Sequence, residues 1–239
     1  MSAGASPSDR ESGSRSDAVH ATHAYAHITD KTSPGSQAPA HERENPMNPM
    51  TAPHNTLHSA LSQCAGIVTA TASGISAEQL GNRTPCEKFT VAELLDHLGQ
   101  TLSSSARAAR KESQPGEGSV PGMSAETVAQ WAERAAAAWS APEAYEGTTH
   151  FGPGEMPAGF AATITLEELA LHGWDLARAT GRPFDLGEET AQLVLNAVEE
   201  IAEQARANGA FGPPVLVPAD APAFHKALGA SGRNPAWSG

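Results

Sequence analysis

Glu168 and His172 stand four residues apart in the stretch 166–175, LEELALHGWD, whose other residues are mostly apolar. On a helix that spacing puts both side chains on one face, where they can converge on a single metal ion. Two donors do not complete a divalent site, which takes at least three protein ligands. The third candidate is His97, in the stretch 91–98, VAELLDHL. His97 follows Leu94 by three residues and directly precedes Leu98, and His172 has Leu169 and Leu171 close by. Both imidazoles therefore border apolar helix faces, where an unpaired polar group is costly and a metal would satisfy it. Plainer readings remain open on spacing alone. A core histidine can bond to a carboxylate or carbonyl, and an i,i+4 Glu–His pair can be a solvated contact worth a few tenths of a kcal/mol.

Three protein ligands would leave one position for water or substrate, the pattern of a catalytic zinc. Two neutral imidazoles and one carboxylate leave such a site net positive, able to lower the pKa of a bound water or thiol. The donor set by itself leaves the metal open, since it suits zinc, nickel, manganese or iron. Asp175, three residues after His172, can orient an imidazole as an outer acceptor. A salt bridge with Arg178, or a solvated position, is the competing assignment. Trp174 reads as packing, and His150 and His225 read as exposed. Cys86, in Thr84-Pro85-Cys86, leads into a helix N-terminus that could lower a thiol pKa. No base lies near it in sequence, which favours a small residue packing its loop. His20, His23 and His27 have ligand-like spacing but sit among Ala, Thr and Ser, which favours solvation.

These residues must be positioned by helices. Leu57, Leu61, Cys64 and Val68 form a helical stripe over 55–71. Thr90-Val91-Ala92-Glu93 is a capping box opening a second helix that runs to about residue 110. A third spans 124–139 with Val128, Trp131, Ala135 and Trp139, after a Gly/Pro/Ser-rich loop over 114–122. The segment 143–159 reads as irregular, since prolines and glycines interrupt any period. A fourth helix, 160–180, is apolar on most sides and stops at Gly181, and a fifth, 188–208, stops at Gly209. A short helix near 224–228 follows. No segment shows clear strand alternation. The expectation is an all-α fold, a four-helix bundle with the fifth helix docked on it and ligands meeting between facing helices.

Of the 239 residues, 1–54 are rich in Ser, Pro, Ala and His and nearly free of large aliphatic side chains. Such a tail is expected to be disordered. Met47 and Met50 are alternative starts just ahead of the folded part, 55–239, which fits one domain. Two cysteines are too few for a disulfide scaffold. A net charge of −12 argues against nucleic acid or anionic membrane as partners. No run resembles a membrane span or a signal-peptide core, so a cytoplasmic protein is expected, as monomer or homodimer.

The run 84–98, TPCEKFTVAELLDHL, resembles the signature of the DinB-like, mycothiol-dependent maleylpyruvate isomerase N-terminal superfamily. GEMPAG at 154–159 and HGWDLARATG at 172–181 are similar to an actinobacterial branch of metal-binding proteins, as are FGPP at 211–214, PADAP at 218–222 and GRNPAW at 232–237. The resemblance covers residues 55–239. It implies a DinB-like four-helix bundle holding a divalent metal, commonly zinc, with the family's ligand positions falling on His97, Glu168 and His172. It further implies that the open position serves the thiolate of a low-molecular-weight thiol such as mycothiol, or a metal-bound water. The expected function is a metal-dependent thiol transferase or isomerase acting on a small molecule. The alternatives are a zinc-water hydrolase and a non-catalytic metal-binding or stress-response module. Phe89 stands where the family usually has Trp, and Asn234 where it usually has Asp. The isomerase's additional C-terminal domain exceeds what this chain can supply, so its substrate does not carry over.

Overall fold

A computed structural model describes residues 52–113, 122–152 and 154–239. The tail with its three histidines and alternative starts, and most of the loop expected at 114–122, lie outside the described residues. Four helices make the bundle: α1 (His54–Ala72), α2 (Val91–Ala109), α3 (Ala125–Ala138) and α4 (Ala158–Ala179). The principal contacts run around a ring, α1 against α3, α3 against α2, α2 against α4 and α4 against α1. Helix α5 (Glu188–Ala207) packs on α4 and α1, and the short α6 (Ala223–Ala230) packs on α5. This is the all-α bundle that the helical stripes predict.

The helix boundaries follow from local chemistry. At the start of α2 the Thr90 amide donates to Glu93 Oε2 at 2.8 Å while the Glu93 amide points at Thr90 Oγ1, 3.4 Å away. This is the reciprocal capping box. Helix α3 opens on Ser124, whose hydroxyl accepts from the Thr127 amide. Helices α4 and α5 end just before Gly181 and Gly209, both with positive φ, as a left-handed cap requires. Because α1, α2 and α5 all cover α4, every residue of that helix except Gly159 and Arg178 is buried. A helix buried all round has apolar residues all round. Glu167, Glu168, His172 and Asp175 are the four titratable residues buried in it.

One expectation is corrected. The segment 143–159, taken as irregular, holds a 3-10 turn at Pro142–Tyr145 and an antiparallel hairpin of β1 (Thr148–Phe151) and β2 (Gly154–Pro157). Thr149 faces Met156 in the register, and both are buried, as is Phe151. The Thr149 hydroxyl donates to the Ala108 carbonyl at 2.7 Å and ties the hairpin to the end of α2. Each strand is four residues long, which gives only two inward positions and no readable alternation.

Candidate functional site

The middle of α2 faces the middle of α4, and His97, Glu168 and His172 meet there. His97 Nε2 lies 3.0 Å from Glu168 Oε2, and His172 Nε2 lies 3.8 Å from the same oxygen. The two imidazole centroids are 4.9 Å apart with the planes nearly perpendicular. All three residues are buried. Phe89, in the loop before α2, stacks on the His97 ring at 5.1 Å and presents an edge to His172. The residue that departs from the family pattern therefore walls the cluster with its ring. The loop carrying it is held by Thr84 Oγ1, which lies 2.8 Å from the carbonyl oxygens of both Cys86 and Phe89.

A cavity of about 20 Å³ adjoins the cluster, lined by the three residues together with Cys86, Lys88, Phe89, Glu167, Ala210, Phe211 and Arg233. That is room for roughly one water molecule. One donor atom each from His97, Glu168 and His172 lie within 4.8 Å of one another. Ligands about 2.1 Å from a tetrahedral zinc stand roughly 3.4 Å apart, and separations of 3.0 and 3.8 Å bracket that value. The donor set thus fits a divalent metal. A second convergent group, Cys86 with His172 and Asp175, fits less well. The Arg233 guanidinium already bonds Asp175 there and would repel a cation.

Asp175 is fully buried and pairs with neither Arg178 nor solvent. Its Oδ2 is 2.9 Å from His172 Nδ1, and both its oxygens bond Arg233. Arg178 instead lies over the Trp174 ring and donates to the Trp237 carbonyl. The environment sets the charges. Burial disfavours the ionised carboxyl of Glu168, but His97, His172 and Arg233 together hold its pKa below the usual value. Burial likewise opposes ionisation of Asp175, and Arg233 and His172 overcome it. For His172 burial dominates and lowers the pKa, favouring the neutral ring that can act as a ligand.

Of the remaining candidates, Trp174 is buried in packing, while His150 on β1 and His225 on α6 are exposed and do not line the cavity. Cys86 does line it, beside His172 and Asp175, although nothing near it in sequence announced a partner. Burial pushes its thiol up to about 11, so it stays protonated and is no ready nucleophile. Asn234 is an exposed turn residue whose side-chain oxygen accepts from the Ala236 amide, a role that needs no charge. Arg233 was not singled out by any spacing rule. Its only sequence signal is its place in the GRNPAW motif, and Phe211 is likewise carried by FGPP.

The fold and the cluster define a class: a helical bundle with a His/Glu/His group between its second and fourth helices. Residues 61–177 match the family model described as the mycothiol maleylpyruvate isomerase N-terminal domain. Two uncharacterized proteins of Mycobacterium tuberculosis, Rv0738 of strain H37Rv and MT0763 of strain CDC 1551, are each 30% identical over 122 residues. That match covers 50% of this chain and spans 64% of the length of those relatives. Crystal structures of the mycothiol-dependent maleylpyruvate isomerase and of a histidine-to-alanine mutant share the fold with TM-scores of 0.52 at 17% and 16% identity. The superposition covers 80% of this chain and 83% of theirs, so more of the isomerase has a counterpart here than the sequence led one to expect. Among the described residues no helix is long and apolar enough to cross a membrane.

Proposed function

We propose that His97, Glu168 and His172 hold a divalent metal, zinc first among the candidates, and that the protein uses it as a thiol-dependent transferase or isomerase on a small molecule. The observation that carries this reading is the approach of two ring nitrogens and one carboxylate oxygen, from α2 and α4, to within 4.8 Å of one another. When bound, such a metal supplies Lewis acidity that favours the deprotonated form of a thiol or water brought beside it. The chain's own residues do the rest. Glu168 contributes the one anionic donor of the set, His172 is kept neutral by burial, and Phe89 shields one face of His97 from solvent. Mycothiol is the proposed cosubstrate because the family model that matches 61–177 carries that thiol in its description.

Hydrolysis without a thiol is a second reading, favoured by a cavity of about 20 Å³, which admits a water but not a larger thiol. A thiol would have to widen this cavity, whose exposed lining residue is Lys88. The test is elemental analysis of the purified protein, followed by titration of the metal-loaded form with mycothiol and simpler thiols. About one zinc per chain, with a thiol-dependent spectral change in a cobalt-substituted sample, supports the reading. Absence of any bound transition metal ends it, and metal that no thiol perturbs transfers the case to hydrolysis.

A further inference from the structure

Three buried side chains from two distant parts of the sequence form a chain beside the cluster. Arg233 Nε lies 3.1 Å from both Asp175 oxygens and its Nη2 lies 2.9 Å from Oδ2, while Oδ2 is 2.9 Å from His172 Nδ1. Arg233 Nη2 also stands 3.4 Å from His172 Nδ1. That ring nitrogen cannot both donate to Asp175 and accept from Arg233. The shorter contact goes to an ionised carboxylate, and charge-assisted bonds of this kind are the stronger ones. Nδ1 therefore carries the proton, and the Nε2 lone pair is left facing Glu168 Oε2 and the cavity.

Arg233 reaches this position through a close crossing of two loops. Gly232 adopts φ +87°, and a Cβ there would lie 2.8 Å from the Gly212 Cα, so only glycine permits the approach. The crossing delivers Phe211 from one loop and Arg233 from the other to the same cavity. The Arg233 amide is anchored to the Leu228 carbonyl at 2.8 Å, which ties the loop to the end of α6.

We propose that Arg233 is a positioning residue. By clamping Asp175 it fixes His172 in the Nδ1–H tautomer and in the orientation that aims Nε2 at the cluster, so docking of the C-terminal segment sets the site's affinity for metal. The affinity part of this proposal rests on the metal reading above, and the tautomer part does not.

Nitrogen-15 NMR of the imidazole rings in the metal-free full chain reads the tautomer, with His172 assigned by comparison with His172→Gln. The wild type is expected to show Nδ1–H at His172. Arg233→Gln is expected to shift that ring toward Nε2–H or a mixture, and to weaken zinc binding roughly 10- to 100-fold. Arg233→Lys, which keeps the charge but loses the planar fork, is expected to recover part of both. An Nε2–H ring in the wild type overturns the proposal. So does a folded Arg233→Gln protein with wild-type tautomer and zinc affinity, even if its thermal stability has fallen, because a merely structural arginine would behave that way. If Arg233→Gln does not fold, the wild-type tautomer and the Arg233→Lys variant decide. A wild type that binds no zinc overturns the metal reading, and the metal-free tautomer still decides whether Arg233 and Asp175 position the ring.

Discussion

The α2–α4 seam carries two buried polar groups about two turns apart, and they are built to different ends. Toward the hairpin, Ser105 Oγ lies 2.8 Å from Thr165 Oγ1, receives the Trp139 indole N–H at 2.9 Å, and Thr165 in turn donates to the Ala161 carbonyl. Every member of that group is neutral and finds its partner within the protein. Toward the other end, His97, Glu168 and His172 aim three donor atoms at a common space beside a cavity, with Asp175 and Arg233 bracing one ring from behind. A saturated neutral group adds specificity to packing, while a convergent, partly charged group that encloses free volume is suited to bind. The same two helices thus supply a structural seam and a candidate site.

The comparison breaks most visibly at the ligands. His97→Ala and Glu168→Ala are each expected to abolish stoichiometric zinc, measured by elemental analysis. Ser105→Ala should keep the metal and lose about 1–3 kcal/mol of stability, because it strands the buried Trp139 donor. Unchanged zinc in both ligand variants would sink the site. Next in size, zinc at about 100 times its Kd is expected to stabilise the wild type by about 2.7 kcal/mol, read as a rise in Tm that Glu168→Ala lacks.

A third contrast is in pH. Glu168 and Asp175 have folded pKa values below their ordinary ones, so their contribution is full above about 4 and is lost as pH falls through the folded values. His172 is also lowered by burial. The unfolded chain therefore takes up that proton first, and stability declines as pH drops below about 6.5. Thermal unfolding of the metal-free protein should accordingly show a lower Tm at pH 5 than at pH 7.5. The Ser105–Thr165–Trp139 group does not titrate, so Ser105→Ala should keep the same slope.

Thiol labelling sharpens the picture further. Burial pushes Cys64 up to about 12 and Cys86 up to about 11. At pH 8 alkylation of the native protein should be slow at both, with the half-buried Cys86 reacting first and two equivalents labelling only in denaturant. Rapid native labelling of Cys86 would revive the nucleophile reading. The smallest effect is expected at Thr101, between the two groups on α2, whose buried hydroxyl has no partner among the described residues. Thr101→Val is expected to be neutral or to stabilise by up to about 1 kcal/mol in denaturant unfolding, with zinc binding unchanged.

Helix existence and order were legible because each helix has a local cause: the stripe from Leu57 to Val68, the Thr90–Glu93 box, and the glycines after α4 and α5. Glu168 and His172 were legible as a pair because a helix fixes their separation. The β1–β2 hairpin was not, since three buried residues over two four-residue strands leave no period to read. Asp175 was legible as an acceptor for His172 because they stand three residues apart on one helix. Its second partner, Arg233, is 58 residues away, and no local rule points to it.

What the sequence determined by itself is therefore local: which segments are helical, which faces are apolar, and which polar residues lie among apolar ones. The position of His97 opposite Glu168, the stacking of Phe89 on its ring and the passage of Arg233 over the Gly212–Gly232 crossing were decided only by the tertiary structure. Local backbone sterics and periodicity act over a few residues and are written directly in the chain. Contacts between elements depend on how the helices pack and where distant loops cross, and no single stretch of sequence contains that information.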